Sequence, residues 1–137
     1  MDVDFLDAHS RHLKDAGILF EAGRWANADH LFGMAAECGL KRLMVAFGMA
    51  VKESGDPEKY EDRKHADAVW VRYETYRAGY GAAEYGFEGG NPFSNWRAEQ
   101  RYASEAGFTP ARVEGHKDAA RRVHALVRKA QWEGLLR

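Results

Sequence analysis

Residues 24–52, RWANADHLFGMAAECGLKRLMVAFGMAVK, decide the fold. Ala28, Phe32, Ala35, Ala36, Gly39, Leu43 and Phe47 recur at three- and four-residue spacings and form one apolar stripe, which Leu31, Met34, Cys38 and Leu40 widen. A helix that is apolar over most of its circumference belongs at the centre of a bundle. Gly33, Ala35, Ala36 and Gly39 let another helix approach closely, each glycine costing about 1 kcal/mol of helix propensity.

The same pattern extends outward from this segment. Upstream, Phe5, Leu6, Leu13, Ala16, Leu19 and Phe20 make one face of a helix over residues 4–21, and Gly23 stops it. Downstream, Ser54-Gly-Asp-Pro57 is turn chemistry. A third helix is expected over residues 58–82, with Ala66, Val69, Trp70, Tyr73, Tyr76 and Tyr80 on one side. The glycine-rich stretch 86–92 is a loop. Ser94 caps a short helix reaching Ala106, and Thr109-Pro110 opens a last helix that runs to about Leu135. The expected fold is all-α: an up-and-down antiparallel bundle of four or five helices.

With 137 residues, the chain reads as a single domain over 1–137. A chain of this size buries roughly two-thirds of its unfolded surface, enough for a core without staples. The 45% hydrophobic and 30% charged content excludes a disordered chain. No window approaches ~18 consecutive apolar residues, so no membrane association is expected. The single Cys38 excludes an internal disulfide framework and a cysteine-cluster zinc site. The acidic start Met1-Asp-Val-Asp-Phe5 lacks the pattern of a signal peptide, and the expected location is cytoplasmic. The net charge of −1 is unevenly spread: nine Lys/Arg face five Asp/Glu after Asn95, and eleven face sixteen before it. The asymmetry fits a basic binding face or two halves that pack on one another.

Two segments carry a resemblance. Gly23-Arg-Trp-Ala-Asn-Ala-Asp-His30, continuing through Ala35, Glu37, Leu40 and Lys41, resembles the second helix of the HEPN superfamily, with its glycine–arginine–aromatic start, small residues and Ala-x-Glu-x-x-Leu-Lys pattern. Trp96-Arg-Ala-Glu-Gln-Arg-Tyr102 is similar to the Trp…Arg-Tyr segment that precedes the final helix in prokaryotic members. The resemblance implies a small helical bundle forming a symmetric homodimer. It implies either RNA cleavage in toxin and defence systems, or non-catalytic binding of a nucleotide or RNA, often beside a nucleotidyltransferase-type partner.

Active members carry an arginine, four to six residues, then a histidine. The histidine accepts the 2′-hydroxyl proton of RNA and the arginine stabilises transition-state charge. Only Arg24…His30 has that spacing here. Thirteen arginines and six histidines produce about 1.7 such pairs by chance, so one pair carries no weight. It also falls where the family has its glycine–arginine–aromatic start. Arg112…His116 is one residue short, and at ~100° per residue His116 falls on the apolar side of the last helix. The ribonuclease motif reads as absent or degenerate, which favours non-catalytic binding of a nucleotide or RNA, with cleavage by Arg24 and His30 as the alternative and a purely structural helical adaptor as the second. The expected ligand contacts are Arg24, His30, Glu37, Lys41, Trp96, Arg97, Arg101 and Tyr102. Glu37 and Lys41, four apart, also read as a structural ion pair.

Other constellations have plainer readings beside the functional ones. Lys117, Arg121, His124 and Arg128 form a basic line on the last helix, which fits phosphate contact or simple solvation. His9 and His12 share a helical face as metal ligands would, with Asp62 or His65 as a third, but a solvated helix explains them equally. There is no pair of Glu-x-x-His motifs and no Walker-type loop, and neither a cofactor nor a resident metal is expected. Nine of the seventeen Phe, Trp and Tyr residues lie between Trp70 and Tyr102, which fits a core or interface, or a pocket that stacks bases.

Overall fold

The computed structural model describes residues 1–136. Four α-helices carry the fold: α1 (Phe5–Glu21), α2 (Trp25–Ala46), α3 (Ala66–Tyr80) and α4 (Pro110–Trp132). Single 3₁₀ turns lie at Tyr60–Asp62, Ala83–Tyr85, Ala98–Tyr102 and Glu105–Gly107. The described residues contain no strand, only an isolated bridge between Val51 and Pro57. No helix among them is long and apolar enough to cross a membrane.

The helix ends follow local chemistry. Asp4 caps α1 by accepting from the Asp7 amide at 3.0 Å, and Thr109 caps α4 by accepting from Arg112 at 3.3 Å. Gly23 and Gly134 take positive φ just past the ends of α1 and α4. Three expected helices are shorter than their patterns. α2 stops at Ala46, because Gly48 turns with φ 102° and Met49 donates back to the Met44 carbonyl. α3 starts at Ala66 rather than Glu58, because the preceding residues serve a different purpose. Asp62 is fully buried and accepts from Arg72 Nε at 2.9 Å, Arg72 Nη2 at 2.6 Å and the Tyr76 hydroxyl at 2.5 Å. The short helix expected over 94–106 is instead a pair of 3₁₀ turns, so among the described residues α4 is the fourth and last α-helix.

α2 is central, as its stripe predicts, and packs against α1, α3 and α4. The antiparallel expectation holds for α1 alone. Phe20 meets Trp25 at the hairpin and His9 bonds Ala35, so α1 runs against α2. The contacts of α4 rise together with those of α2, from Asp29–His116 to Gly39–Val123, so these two helices run the same way. Glu37–His65 and Phe47–Tyr73 place α3 in the same general sense. Short loops force neighbouring helices to reverse; the long connections 47–65 and 81–109 remove that constraint.

The three-helix seam closes at Gly39. A Cβ there would lie 2.6 Å from Val123 Cγ1 on α4 and 2.7 Å from His9 Nδ1 on α1. His9 has no exposed surface: its Nδ1 meets the Ala35 carbonyl at 2.7 Å and its Nε2 meets His124 Nδ1 at 3.0 Å. The basic line on α4 is therefore partly turned inward. His124 bonds His9 and the Lys117 ammonium sits 4.2 Å from the Phe20 ring centre, while Arg121 and Arg128 stay exposed. Most of the aromatic cluster is core as well. Trp70 stacks on Phe87 at 4.3 Å and packs on Phe93, and the Tyr73 hydroxyl donates to the Tyr85 carbonyl at 2.6 Å.

Two expectations follow. Gly39→Ala should cost about 1–3 kcal/mol, because His9 is held on both nitrogens and cannot step aside. Gly17→Ala, in the interior of α1 with open space around it, should gain about 0.5–1 kcal/mol. Urea titration of both variants against the parent protein reads this difference in sign. Stability should also fall as pH drops below about 6.5. Burial, first among the causes, lowers the pKa of His9, His12, His30 and His124, so the unfolded chain binds protons that these sites resist. His65 opposes the trend: its bond to Glu37 raises its pKa, and the stability it contributes is lost as pH rises instead. Four sites against one predict a lower urea midpoint at pH 5.5 than at pH 7. An equal or higher midpoint contradicts it.

Candidate functional site

The site is built on the first turns of α2. Asp29, in the second turn of α2, has no exposed surface, and every acceptor on it is used. Its main-chain carbonyl accepts from Trp96 Nε1 at 3.0 Å. Oδ2 accepts from Gln100 Nε2 at 2.6 Å, and Oδ1 lies 2.5 Å from His116 Nδ1. That short contact places the ring proton on Nδ1; Nε2 then faces the Asn95 amide at 2.7 Å, which can turn either its oxygen or its nitrogen toward the ring. Arg112 Nη2 donates to the Asn95 carbonyl at 2.7 Å. Through this network, α4 and the whole 95–100 segment are tied to α2.

Trp96 fills the space left by a missing side chain. A Cβ at Gly33 would fall 2.0 Å from its ring, so only glycine admits the indole. Trp96 is fully buried and thus offers no face to a ligand, contrary to its expected role as a contact. His30 stacks on it in near-parallel fashion at 5.9 Å. The His30 Nδ1 is buried and has no bonding partner among the described residues, and burial, followed by the nearby Arg101 charge, lowers the pKa of the ring.

The anchored segment brings Arg101 over the start of α2. Arg24, Asn27, Gln100, Arg101 and Glu105, with Ala26 and Ala103, enclose a polar cleft of about 200 Å³. Arg24 and Arg101, seventy-seven positions apart in sequence, thus share one cleft within a single chain. Tyr102 is 79% exposed beside it, with the Arg101 guanidinium 5.0 Å from its ring centre. Arg97 is exposed on the same turn, its amide donating to Gln100 Oε1 at 3.1 Å. His30 does not line the cleft, so Arg24 and His30 do not face one common space there.

Glu37 and Lys41 stand apart from these residues. They form a buried ion pair at 2.9 Å, the structural alternative raised by their spacing, and Glu37 also meets His65 Nδ1 at 3.0 Å. Burial pushes the Glu37 carboxyl up, but the bonds from His65 and Lys41 outweigh it and hold the group below its ordinary value. The residues raised as metal ligands are separated by other partners: His9 holds Ala35 and His124, Asp62 holds Arg72 and Tyr76, and His65 holds Glu37. Among the described residues, no group of three His, Cys, Asp or Glu is placed to hold a metal ion. Burial raises the Cys38 thiol to about 12, so it is held as the neutral thiol.

Asp29 and Gln100 were not expected at the site. A signal for Asp29 existed: His116 falls on the apolar side of α4, and a buried imidazole needs a partner, for which Asp29 is the acid on the inward arc of α2. No protein-family model matches the chain, and neither does a curated protein or a solved structure.

Removing the hub should be severe. Asp29→Ala leaves His116, Gln100 and Trp96 without buried partners or with loosened ones, and should cost about 3–5 kcal/mol. Thermal unfolding measures it; a loss under about 1 kcal/mol would show that the network is dispensable.

Proposed function

We propose that the protein binds the phosphate of a nucleotide, or of an RNA backbone, in the Arg24–Arg101 cleft, and that it is a non-catalytic HEPN-like protein. The observation that carries this reading is the convergence of two guanidiniums from distant parts of the chain on one polar cleft. A guanidinium presents paired donors that match phosphate oxygens, and two of them in one cleft balance a dianion. Asn27 and Gln100 add neutral side chains to the lining, while the Glu105 carboxyl limits how much negative charge enters. A volume of about 200 Å³ suits a phosphate with its adjoining sugar rather than a whole nucleotide. The base would then lie outside, where Tyr102 is exposed for stacking.

The homodimer and the nucleotidyltransferase-type partner are part of the proposal and rest on the resemblance of residues 23–42 and 96–102. Within one chain the inward arc of α2 is already covered, so a dimer made through this helix would use its half-exposed residues Leu31, Met34 and Val45. Cleavage by Arg24 and His30 is the competing reading. Incubation of the protein with labelled RNA in the absence of metal separates the two: intact RNA is expected, and cutting that disappears in His30→Ala overturns the non-catalytic reading.

Binding is tested with a fluorescent oligoribonucleotide titrated at several salt concentrations. Arg101→Ala should weaken it by roughly tenfold and reduce the slope of log K against log salt by about one. Unchanged affinity and slope in a folded variant reject the cleft as the site.

A further inference from the structure

A second cavity, of about 620 Å³, opens between the chain's first residues, the start of α1 and the segment around Pro57–His65. It lies about 20–25 Å further along α2 than Arg24, at 1.5 Å per residue. Its floor is the Glu37–Lys41 pair, each residue more than nine-tenths buried. Two features of this floor point to a ligand.

The first is unused bonding capacity. Glu37 engages both oxygens, Oε2 with Lys41 and Oε1 with His65. An ammonium has three donors, and among the described residues Lys41 bonds with one, to Glu37. The Phe5 ring, 5.8 Å from Nζ, is its neighbour on the cavity side. The second is charge. One carboxylate faces Lys41 and His65, so the floor carries an excess of positive charge where His65 is protonated and is balanced where it is not. Four acidic residues stand at the mouth, Asp2 among them, and the other three are engaged locally. Asp4 caps α1, Asp56 accepts from the Ser54 hydroxyl at 2.9 Å, and Asp7 lies 3.6 Å from Arg11. Val3, Phe5, Met34 and Pro57 supply an apolar lining between mouth and floor. A buried cation with spare donors beneath an apolar wall is the usual form of a small-molecule site.

We propose that this cavity binds a small organic anion, an apolar body bearing one carboxylate, whose oxygens accept from the Lys41 ammonium while the body lies against Phe5 and Met34. The site is separate from the Arg24–Arg101 cleft, and either can fail without the other.

Methionine methyl NMR tests it on the full chain. Met34 lines the cavity, whereas Met44 and Met49 are buried elsewhere in the core and act as internal references. Titration with hexanoate should shift the Met34 methyl signal saturably and leave Met44 and Met49 in place. Hexylamine, of matched length and opposite charge, should shift nothing. Lys41→Gln, which keeps a donor toward Glu37, should weaken hexanoate binding by roughly tenfold or more. Unmoved Met44 and Met49 signals show that this variant keeps its core; if they move, the hexanoate and hexylamine comparison on the parent chain decides alone. No saturable Met34 shift with hexanoate, an equal shift with hexylamine, or a shift of all three signals together overturns the proposal.

Discussion

Taking a carboxyl group out of water is costly unless each of its acceptors finds a donor, and Asp29 has no surface in solvent. The chain meets that cost with groups drawn from far along the sequence: His116 from α4, and Gln100 from the segment between α3 and α4. The indole of Trp96, bonded to the Asp29 main chain, completes the arrangement. Meeting one local requirement therefore sets the position of two distant elements. The turn that carries Arg101 lies over the start of α2 because its neighbour Gln100 reaches Asp29. Without that bond, Arg24 and Arg101 have no reason to line one cleft.

A steric condition works alongside this polar one. Gly33 makes room for the Trp96 ring and Gly39 for His9 and Val123, so α2 has two notches on its surface. A glycine in a helix interior costs about 1 kcal/mol, and close packing of large side chains into each notch offsets it. The Gly39 notch holds His9, bonded on both nitrogens, and Asp29, one turn before the Gly33 notch, holds His116. The centre of the molecule is thus held by directional bonds as well as by apolar contact, and directional bonds favour one arrangement over its near neighbours.

The helices α1 and α4, and the apolar stripe of α2, were readable because their apolar positions repeat at helical spacing, with Gly23 as a stop and Thr109-Pro110 as a start. The start of α3 was not. Residues 58–65 carry helix-forming side chains, but Asp62 gains more by turning inward to Arg72 and Tyr76 than by joining the helix. The same competition defeated the helix expected over 94–106, where Trp96 and Gln100 are committed to α2. Nor does helical periodicity carry information about direction, so the shared sense of α2 and α4 emerges only from the pairing of Asp29 with His116 and of Gly39 with Val123. At the site, Arg24 and Arg101 were both singled out, but their meeting in one chain depends on Asp29, whose polar side chain is masked inside an apolar stripe. Trp96 was misread because an aromatic residue beside arginines looks alike in a stacking platform and in a core.

The protein thus presents two different chemical environments along α2: two guanidiniums lining a polar cleft near its start and a buried ion pair with spare ammonium donors further down. The first exists only while the 95–100 segment is fastened to α2. The most direct measurement of that claim is hydrogen exchange of the tryptophan indole protons, followed by NMR. Trp96 Nε1–H, buried and bonded to the Asp29 carbonyl, should exchange orders of magnitude more slowly than that of Trp132, which is 93% exposed. Comparable rates for the two would mean that the 95–100 segment is not fastened to α2, and the account of the cleft would be wrong.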